Sequence, residues 1–531
     1  MLVLVVFVTH MLVGQTTYIP TTHEAYDFLK RMEARQFLTD YRDAVKPISR
    51  QTMAEILLKL ESHRDRMSRL EKETFDYYRV EFADELYRID STAAPRERRW
   101  HLATMNTIDG EAHIDPLVQA DYRKAVGEYR FHEMRGAVMY GSIFKELGFY
   151  FNFMDNGESG GLSDPLRRNS PDEGIVVGQQ NKDKIEFDLT KVQISYGWKG
   201  MEFSLENFEN NWSLGRNGSL VFGRKAPPAP QIKLRVTVAS WLDFTYIHAE
   251  LKSGIVDSLR SYHTNNSALI DFYRPVDRPK YMAAHILEAT LTRGVDFSFG
   301  ESIVYSDRSP SLLYLLPIMF FKSGEHYNRD TDNVQFFGNL DLNLIPNVNV
   351  YSTIFIDEFS LERALAGDKA RNQHAITVGF QTYDIGLPNF EFTGEYTFVN
   401  PWVYSHKYTA ANFTNNGFDM GHWIGQNADD VFFEATYRPM RELKLGLFSE
   451  VFRKGGKTDV AYQYLDTLKL DLIYGLQRHE RSFGVYAHYE PLRDAFFDLK
   501  VRWFSLKDEN NPTANHGFEP EVSATLKYGF W

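Results

Sequence analysis

Cysteine is absent from the 531-residue chain, so disulfides and thiolate-bound metals are excluded. Such a composition fits an oxidising compartment, where stray thiols are a liability. Long apolar runs are missing too: no interior stretch approaches the roughly 20 apolar residues of a spanning helix, and mean hydropathy is −0.39. Basic charge is scarce, with 59 Lys and Arg against 71 Asp and Glu for a net charge of −12. A nucleic-acid partner needs a basic face to meet phosphate, and no RNP, zinc-finger or P-loop pattern is present. With 43% hydrophobic and 24% charged residues, the chain is neither a disordered one nor a helical membrane bundle.

Motifs for bond-breaking chemistry are incomplete. Gly157-Glu158-Ser159-Gly160-Gly161 matches G-x-S-x-G, but a nucleophile elbow needs a strand feeding a sharp turn into a helix. Here the surrounding segment is a Gly-, Ser- and Asp-rich loop. His132-Glu133 begins like a zinc-protease motif and then reaches Gly136 with no second histidine, so the two-ligand face is missing. Asp357 and Glu358 are neighbours in a strand and point to opposite faces. They read as one lumen charge and one rim charge, not as a general acid–base pair. The expectation is a protein without catalytic residues, metal or cofactor.

What the chain has in quantity is aromatics, with 40 Phe, 30 Tyr and 8 Trp. After about Leu102 apolar and polar residues alternate. Phe390, Phe392, Tyr396 and Phe398 alternate with Glu391, Thr393, Glu395 and Thr397; Phe497, Leu499, Val501 and Trp503 alternate with Asp498, Lys500, Arg502 and Phe504. The C-terminal Glu521-Val-Ser-Ala-Thr-Leu-Lys-Tyr-Gly-Phe-Trp531 shows the same period of two. This is the pattern of strands with two different surroundings on their two faces.

Connections are short and long in turn. Glu146-Leu147-Gly148, Lys199-Gly200, Thr292-Arg293-Gly294, Ile345-Pro346-Asn347, Gly386-Leu387-Pro388-Asn389, Arg438-Pro439-Met440 and Glu490-Pro491-Leu492 read as tight turns. Between them lie polar excursions at 155–183, 207–230, 251–280, 307–333, 400–430 and 453–478. A β-sandwich has no reason to segregate short turns from long loops, whereas an outer-membrane barrel does. The fold class expected is therefore an all-β transmembrane barrel of about 18 antiparallel strands with a small N-terminal α-helical bundle. Such a barrel cannot fill its interior with side chains alone, so the lumen is wet, plugged or both. Glu391, Glu395, Glu434, Asp498, Lys500 and Arg502 are expected to point inward. The final strand is expected to face lipid with Val522 to Phe530, and its aromatic end suits recognition by the outer-membrane assembly machinery.

The first 100 residues follow a different pattern. Residues 1–15, an apolar run ending in Gly14-Gln15, read as an export signal whose basic n-region is missing, so that the true start is expected upstream. Residues 16–100 read as a periplasmic helical bundle and 101–531 as the barrel. Thr21 with Glu24 and Ser68 with Glu71 have capping-box spacing. Ser49 is placed to cap a helix bearing Ile56, Leu57 and Leu60, and Phe75, Phe82 and Leu86 share a stripe of a third helix.

In the long loops aromatics stand among amides and charges: Trp212 before Arg216, Trp402 and Tyr404 before His406, and Trp423 after His422. Aromatic faces with neighbouring hydrogen-bonding side chains are a common sugar-binding combination. Trp212, Arg216, Trp402, Tyr404 and Trp423 are accordingly the candidate polysaccharide-binding residues; the competing reading is that these rings pack the loops together.

The chain resembles the capsule-assembly family of Wzi type. Lys46-Pro-Ile-Ser-Arg50 looks like that family's helix-connecting motif. Trp212-Ser-Leu-Gly-Arg-Asn-Gly-Ser-Leu-Val-Phe222, leading to Ala226-Pro-Pro-Ala-Pro-Gln-Ile-Lys-Leu234, is similar to its most recognisable segment. Thr353-Ile-Phe-Ile-Asp-Glu-Phe359 looks like a recurring strand. The resemblance extends over nearly the whole chain after its first residues. It implies a non-catalytic, lectin-like outer-membrane protein that holds capsular or extracellular polysaccharide at the surface of a Gram-negative cell. The alternative from another class is a porin or substrate-specific diffusion channel. The helical N-terminal region and the apolar insert Leu312-Leu-Tyr-Leu-Leu-Pro-Ile-Met-Phe-Phe321 favour obstruction over flow.

Overall fold

The computed structural model describes residues 17–108, 110–144, 147–181, 184–198, 200–264, 271–358, 373–464 and 470–529. The expectations placed on residues 1–15, Glu146, Lys199, Phe359, Phe530 and Trp531 lie outside the described residues.

Eighteen antiparallel strands close into a barrel, from Gly110–Ala125 to His516–Tyr528. Closure is made by the last strand on the first, with Val118 opposite Tyr528 and Ala125 opposite Glu521. The rest of that seam is filled by a short strand, Ala103–Asn106, paired to Glu111–Ile114. The pleat turns the alternation of the sequence into two surfaces. Phe433, Tyr437, Phe497, Leu499, Val522 and Leu526 are exposed on the outside.

Inside, the ionised residues meet one another. Glu395 accepts from the Tyr351 hydroxyl at 2.7 Å and Glu434 from the Tyr486 hydroxyl at 2.9 Å. Arg502 reaches Glu480 at 3.0 Å and Glu521 at 3.1 Å. Asp498 pairs with His488, and Lys500 lies 4.3 Å above the Phe448 ring.

One end of the barrel is closed by tight turns such as Ser240-Trp241, Arg293-Gly294, Pro346-Asn347, Arg441-Glu442 and Arg493-Asp494. Pro439 and Pro491 stand beside two of these turns, within the strands, where the register slips between Tyr437 and Met440 and between Tyr489 and Leu492. A residue with no N–H cannot feed a ladder, so it sits at the bulge. The other end carries the long loops, with one short exception at Val126-Gly127.

Among the described residues four α-helices precede the barrel: α1 (Ala25–Ala34), α2 (Arg50–Glu61), α3 (Arg69–Glu81) and α4 (Ala83–Ile89). Ser49 caps α2 by accepting from the Thr52 N–H, and Ser68 with Glu71 forms a full capping box on α3. Thr21 and Glu24 do not form theirs. Thr21 donates instead to Glu209 at 3.0 Å, and Glu24 turns toward Arg438 and His488 of the barrel, whose side-chain N–H groups outcompete a backbone N–H. The expected third helix breaks at Phe82 into α3 and α4, yet Phe75, Phe82 and Leu86 all enter the bundle core.

The bundle seats in the turn end of the barrel. Asn347 N–H donates to the Ala34 carbonyl at 2.7 Å. Arg31 reaches Asp384 at 2.5 Å and Glu391 at 3.2 Å. Tyr77 lies between Arg441 and Arg493, 4.1 and 3.8 Å from its ring, and donates to Glu490 at 2.7 Å. Lys30 is the most enclosed of these ties, paired at once with Glu33, Asp43 and Asp341.

Two features depart from expectation. The interior is not only ionised: above the bundle it holds a large apolar cluster, because two loops fold inward and bring their own core with them. And the insert at 312–321 obstructs nothing. It packs on outward-facing wall residues, because both the insert and the outer wall are apolar.

Lys30→Met leaves the buried carboxylates of Glu33 and Asp341 without their cation, while Asp43 keeps Lys46 at 2.8 Å, a change that costs about 3–5 kcal/mol. The expected outcome is a bundle that limited trypsin digestion releases while the barrel itself stays folded, read by its heat-modifiable gel mobility. Equal protease resistance of variant and wild type contradicts this seating.

Candidate functional site

Between strands Met201–Phe208 and Ala229–Ala239, residues 209–228 turn into the lumen as a wedge. Its first residues pair with the bundle through a two-bond bridge, Lys46 N–H to Asn211 O at 2.8 Å and Asn211 N–H to Lys46 O at 2.9 Å. Next the wedge meets the wall, where the Thr353 hydroxyl accepts from Ser213 Oγ at 3.2 Å and Leu214 N–H at 3.3 Å. At the tip, the N–H groups of Arg216 and Asn217 donate to the Glu395 carboxylate at 2.6 and 3.0 Å. The Asn217 amide bridges Asp430 and Glu450, 2.8 Å from each. Two glycines make the tip possible. A Cβ at Gly215 would lie 2.1 Å from the Gly218 carbonyl, and one at Gly218 would lie 2.3 Å from His422 Nε2.

A second loop, 400–427, packs over the wedge. Trp402 and Tyr404 take left-handed backbone, φ 67° and 72°, which non-glycine residues adopt only when their surroundings hold them there. The restraints are visible: Tyr404 N–H donates to Asp357 at 2.6 Å, and its hydroxyl donates to the Leu220 carbonyl at 2.8 Å. Trp423 Nε1 donates to Asn217 O at 2.6 Å. Between the two loops Trp212, Leu220, Val221 and Phe222 form a core with Val304, Phe337 and Phe355 of the wall and Val403, Phe413 and Ile424 above. Losing a ring like that of Trp212 from such a core costs about 3–5 kcal/mol.

This geometry sorts the candidate sugar-binding residues. Trp212 is 0% exposed, Trp402 7% and Tyr404 2%, so none of the three offers a ring face for stacking. The reason is that loops long enough to cover the mouth fold down into it instead. Arg216 and Trp423 do share a space, a chamber of about 450 Å³ between the wedge and the start of α1. Arg216 spans it to Asp27 at 2.5 Å. Burial opposes charge on Glu24, but Arg438 and His488 pull its carboxyl down to about 2. Burial lowers Lys225 to about 8 against the pull of Asp172, and its ammonium is held by the carbonyls of Arg167 and Ser170.

Exposed rings at the loop end include Phe272 and five tyrosines that carry a hydroxyl as well as a flat face: Tyr262, Tyr273, Tyr408, Tyr462 and Tyr474. They sit among polar partners, with His263 5.1 Å from Tyr273, Arg274 5.9 Å from Tyr262 and His406 5.5 Å from Tyr408. Sequence reasoning passed them over by weighting tryptophan; the available signal was an aromatic beside charge in the most polar loops.

The incomplete motifs are absorbed by structure. Ser159 ends a strand and leads into a turn, while the Glu158 carboxylate binds Arg167 at 2.6 Å and accepts from Ser163 at 2.8 Å. His132 Nε2 is 2.9 Å from Asn156 Oδ1. Asp357 faces the lumen and is committed to Tyr404. Glu325, His326 and Asp330 bring three ligand-type atoms within 4.8 Å, the latter two residues exposed on an outer loop with His326 Nε2 3.7 Å from Asp330 Oδ1.

The family model for capsule assembly protein Wzi matches residues 145–493. No curated protein matches the chain. Among solved structures the chain is similar to Wzi of Escherichia coli, described as an outer-membrane protein involved in group 1 capsule assembly and a carbohydrate-binding β-barrel. The two are 9% identical with a TM-score of 0.57, covering 97% of this chain and 99% of that one. OprD of Pseudomonas aeruginosa is 11% identical with a TM-score of 0.43, over 78% of this chain and 93% of its own, too distant in shape to carry an argument.

His422 titrates against the fold. Burial, helped by Lys454, holds its pKa down at about 3, and Nε2 has no hydrogen-bond partner among the described residues. The unfolded chain, with an ordinary histidine near 6.5, therefore takes up a proton first as pH falls. The stability His422 contributes is complete above about pH 6.5 and drains below it, at up to about 1.4 kcal/mol per pH unit. The thermal unfolding midpoint in detergent should fall between pH 7 and 5, and less steeply for His422→Gln. An unchanged acid slope in the variant contradicts a neutral buried His422.

Proposed function

The chain belongs to the capsule assembly protein Wzi family, and from that premise we propose that it holds capsular or extracellular polysaccharide at the cell surface through the loop end of an outer-membrane barrel. The observation that carries this reading is the filled lumen. A wedge hydrogen-bonded to Glu395, Asp430 and Glu450, with a helical bundle seated beneath it, leaves recognition to the outer loops and works against the diffusion-channel alternative. The ligand class follows the carbohydrate binding described for the Escherichia coli relative. The exposed tyrosines supply flat apolar faces next to hydrogen-bonding groups, the chemistry a pyranose ring needs.

Short turns face the periplasm and long loops the exterior, so the bundle of residues 16–100 is periplasmic; the apolar run of residues 1–15 suits export, and the aromatic end of the final strand suits recognition by the assembly machinery. The protein acts by binding, without bond-breaking chemistry.

Deleting the gene should shift polysaccharide from the cell-bound to the shed fraction. Complementation with Tyr262→Ala, Tyr273→Ala and Tyr408→Ala combined should restore the barrel to the outer membrane without restoring retention. Retention unchanged by deletion defeats the capsule role. Full rescue by the triple variant defeats the tyrosine assignment alone.

A further inference from the structure

The loop at 307–332 follows a course unlike the wedge. On strand Val295–Ser306, Val304 belongs to the lumenal cluster and Ser302 bonds the lumenal Gln335, so Phe297, Phe299, Glu301, Ile303 and Tyr305 face outward. Phe297 and Phe299 are exposed, as outward residues should be. Glu301, Ile303 and Tyr305 are buried. What hides them is the loop itself, folded back down the outside of the wall.

The cover is built, not merely adjacent. Tyr314 and Phe321 pack with Tyr246, Ala283, Ile303 and Tyr305. Tyr246 donates its hydroxyl to the Tyr314 carbonyl at 2.7 Å, Ser311 N–H donates to the Tyr305 hydroxyl at 3.1 Å, and Phe321 N–H donates to Glu301 at 2.7 Å. Glu301 is 2% exposed, with His285 Nε2 at 3.2 Å and the Phe321 ring 4.7 Å from the His285 ring. An outward-facing Glu–His pair on a lipid wall would be costly, and this loop encloses it.

The loop's own outer surface is apolar. Leu312, Leu316, Ile318 and Phe320 are exposed, Ile318 to 87%, and residues 312–321 contain no charge. The surface is continuous with the barrel wall: Phe320 lies 6.1 Å from Phe336, which lies 6.2 Å from Phe299. With a rise of about 3.3 Å per residue and a tilt of about 40°, Glu301 to Tyr305 stand roughly 15 to 25 Å above the turn end. That is the upper half of an apolar band about 25 Å tall.

We propose that residues 312–321 form a flap immersed in the outer leaflet, where Leu312, Leu316, Ile318 and Phe320 contact lipid acyl chains while the inner side seals the Glu301–His285 pair from hydrocarbon. The flap broadens the barrel at one place on its circumference and ties an extracellular loop to membrane depth. The neighbouring wall strands carry no comparable cover among the described residues.

Because the chain has no cysteine, Ile318→Cys and Leu312→Cys each give a single site for an environment-sensitive fluorophore on the full-length protein. Phe299→Cys on the bare wall and Leu259→Cys, at a loop position 95% exposed, serve as references. In vesicles of phospholipid brominated along the acyl chains, labels at 318 and 312 should lose as much emission as at 299, and aqueous iodide should quench only 259. Quenching of 318 and 312 by iodide instead of brominated lipid overturns the proposal. So does protection from both quenchers with disulfide-linked dimers of the unlabelled Ile318→Cys protein, which would make a second copy the occupant. Correct folding of each variant is read from its heat-modifiable mobility.

Discussion

The hydrogen bonds from Arg216 and Asn217 to Glu395, Asp430 and Glu450 are the interaction on which the rest of the structure turns. Eighteen strands enclose more space than wall side chains can fill, and a closed barrel with inward carboxylates is by itself the plan of a channel. The wedge converts it. By supplying backbone N–H groups and one amide to three lumenal carboxylates, residues 209–228 remove the polar reason for that space to hold water, and Trp212 and Phe222 then fill it with apolar volume. The same wedge is tied to the bundle below through Lys46 and to the loop above through Tyr404 and Trp423. Bundle, wall and outer loop therefore share one set of contacts, so that loss of one partner leaves buried polar groups in the others unpaired.

The three stretches that carry the family resemblance meet here. Lys46 pairs with Asn211, Thr353 accepts from Ser213 and Leu214, and Asp357 accepts from Tyr404. Their likeness to the family is thus a likeness of the lumenal seal. The outer loops that would meet a glycan lie elsewhere, on side chains such as Tyr262, Tyr273 and Tyr408, free to differ without disturbing the seal.

Much of the barrel was legible because its cause is local. Alternation at 390–398 and 497–504 follows from the pleat, and Gly294 or Asn347 marks a hairpin by backbone conformation alone. The inward placement of Glu391, Glu434 and Arg502 followed from the same parity. The destination of the loops was not legible, because the length of 209–228 or 400–427 says nothing of direction. Whether Trp212 points to solvent or to the lumen depends on Glu395, Asp430 and Glu450, presented by three adjacent wall strands about 180 to 240 residues further along the chain. For residues 312–321 the ambiguity is sharper still, since an apolar segment suits a plugged lumen and a lipid-facing wall equally. Only the outward parity of Glu301 and Tyr305 decides between them, and that is visible once the strand register is known.

The account stands most directly on the closed lumen. Purified full-length protein inserted in a planar lipid bilayer should show no steady, large unitary conductance in symmetric salt. Asn217→Ala combined with Arg216→Gly, which loosens the tip of the wedge, should introduce frequent openings. Stable, large conductance steps from the wild-type protein would contradict a seal built from the wedge and the bundle.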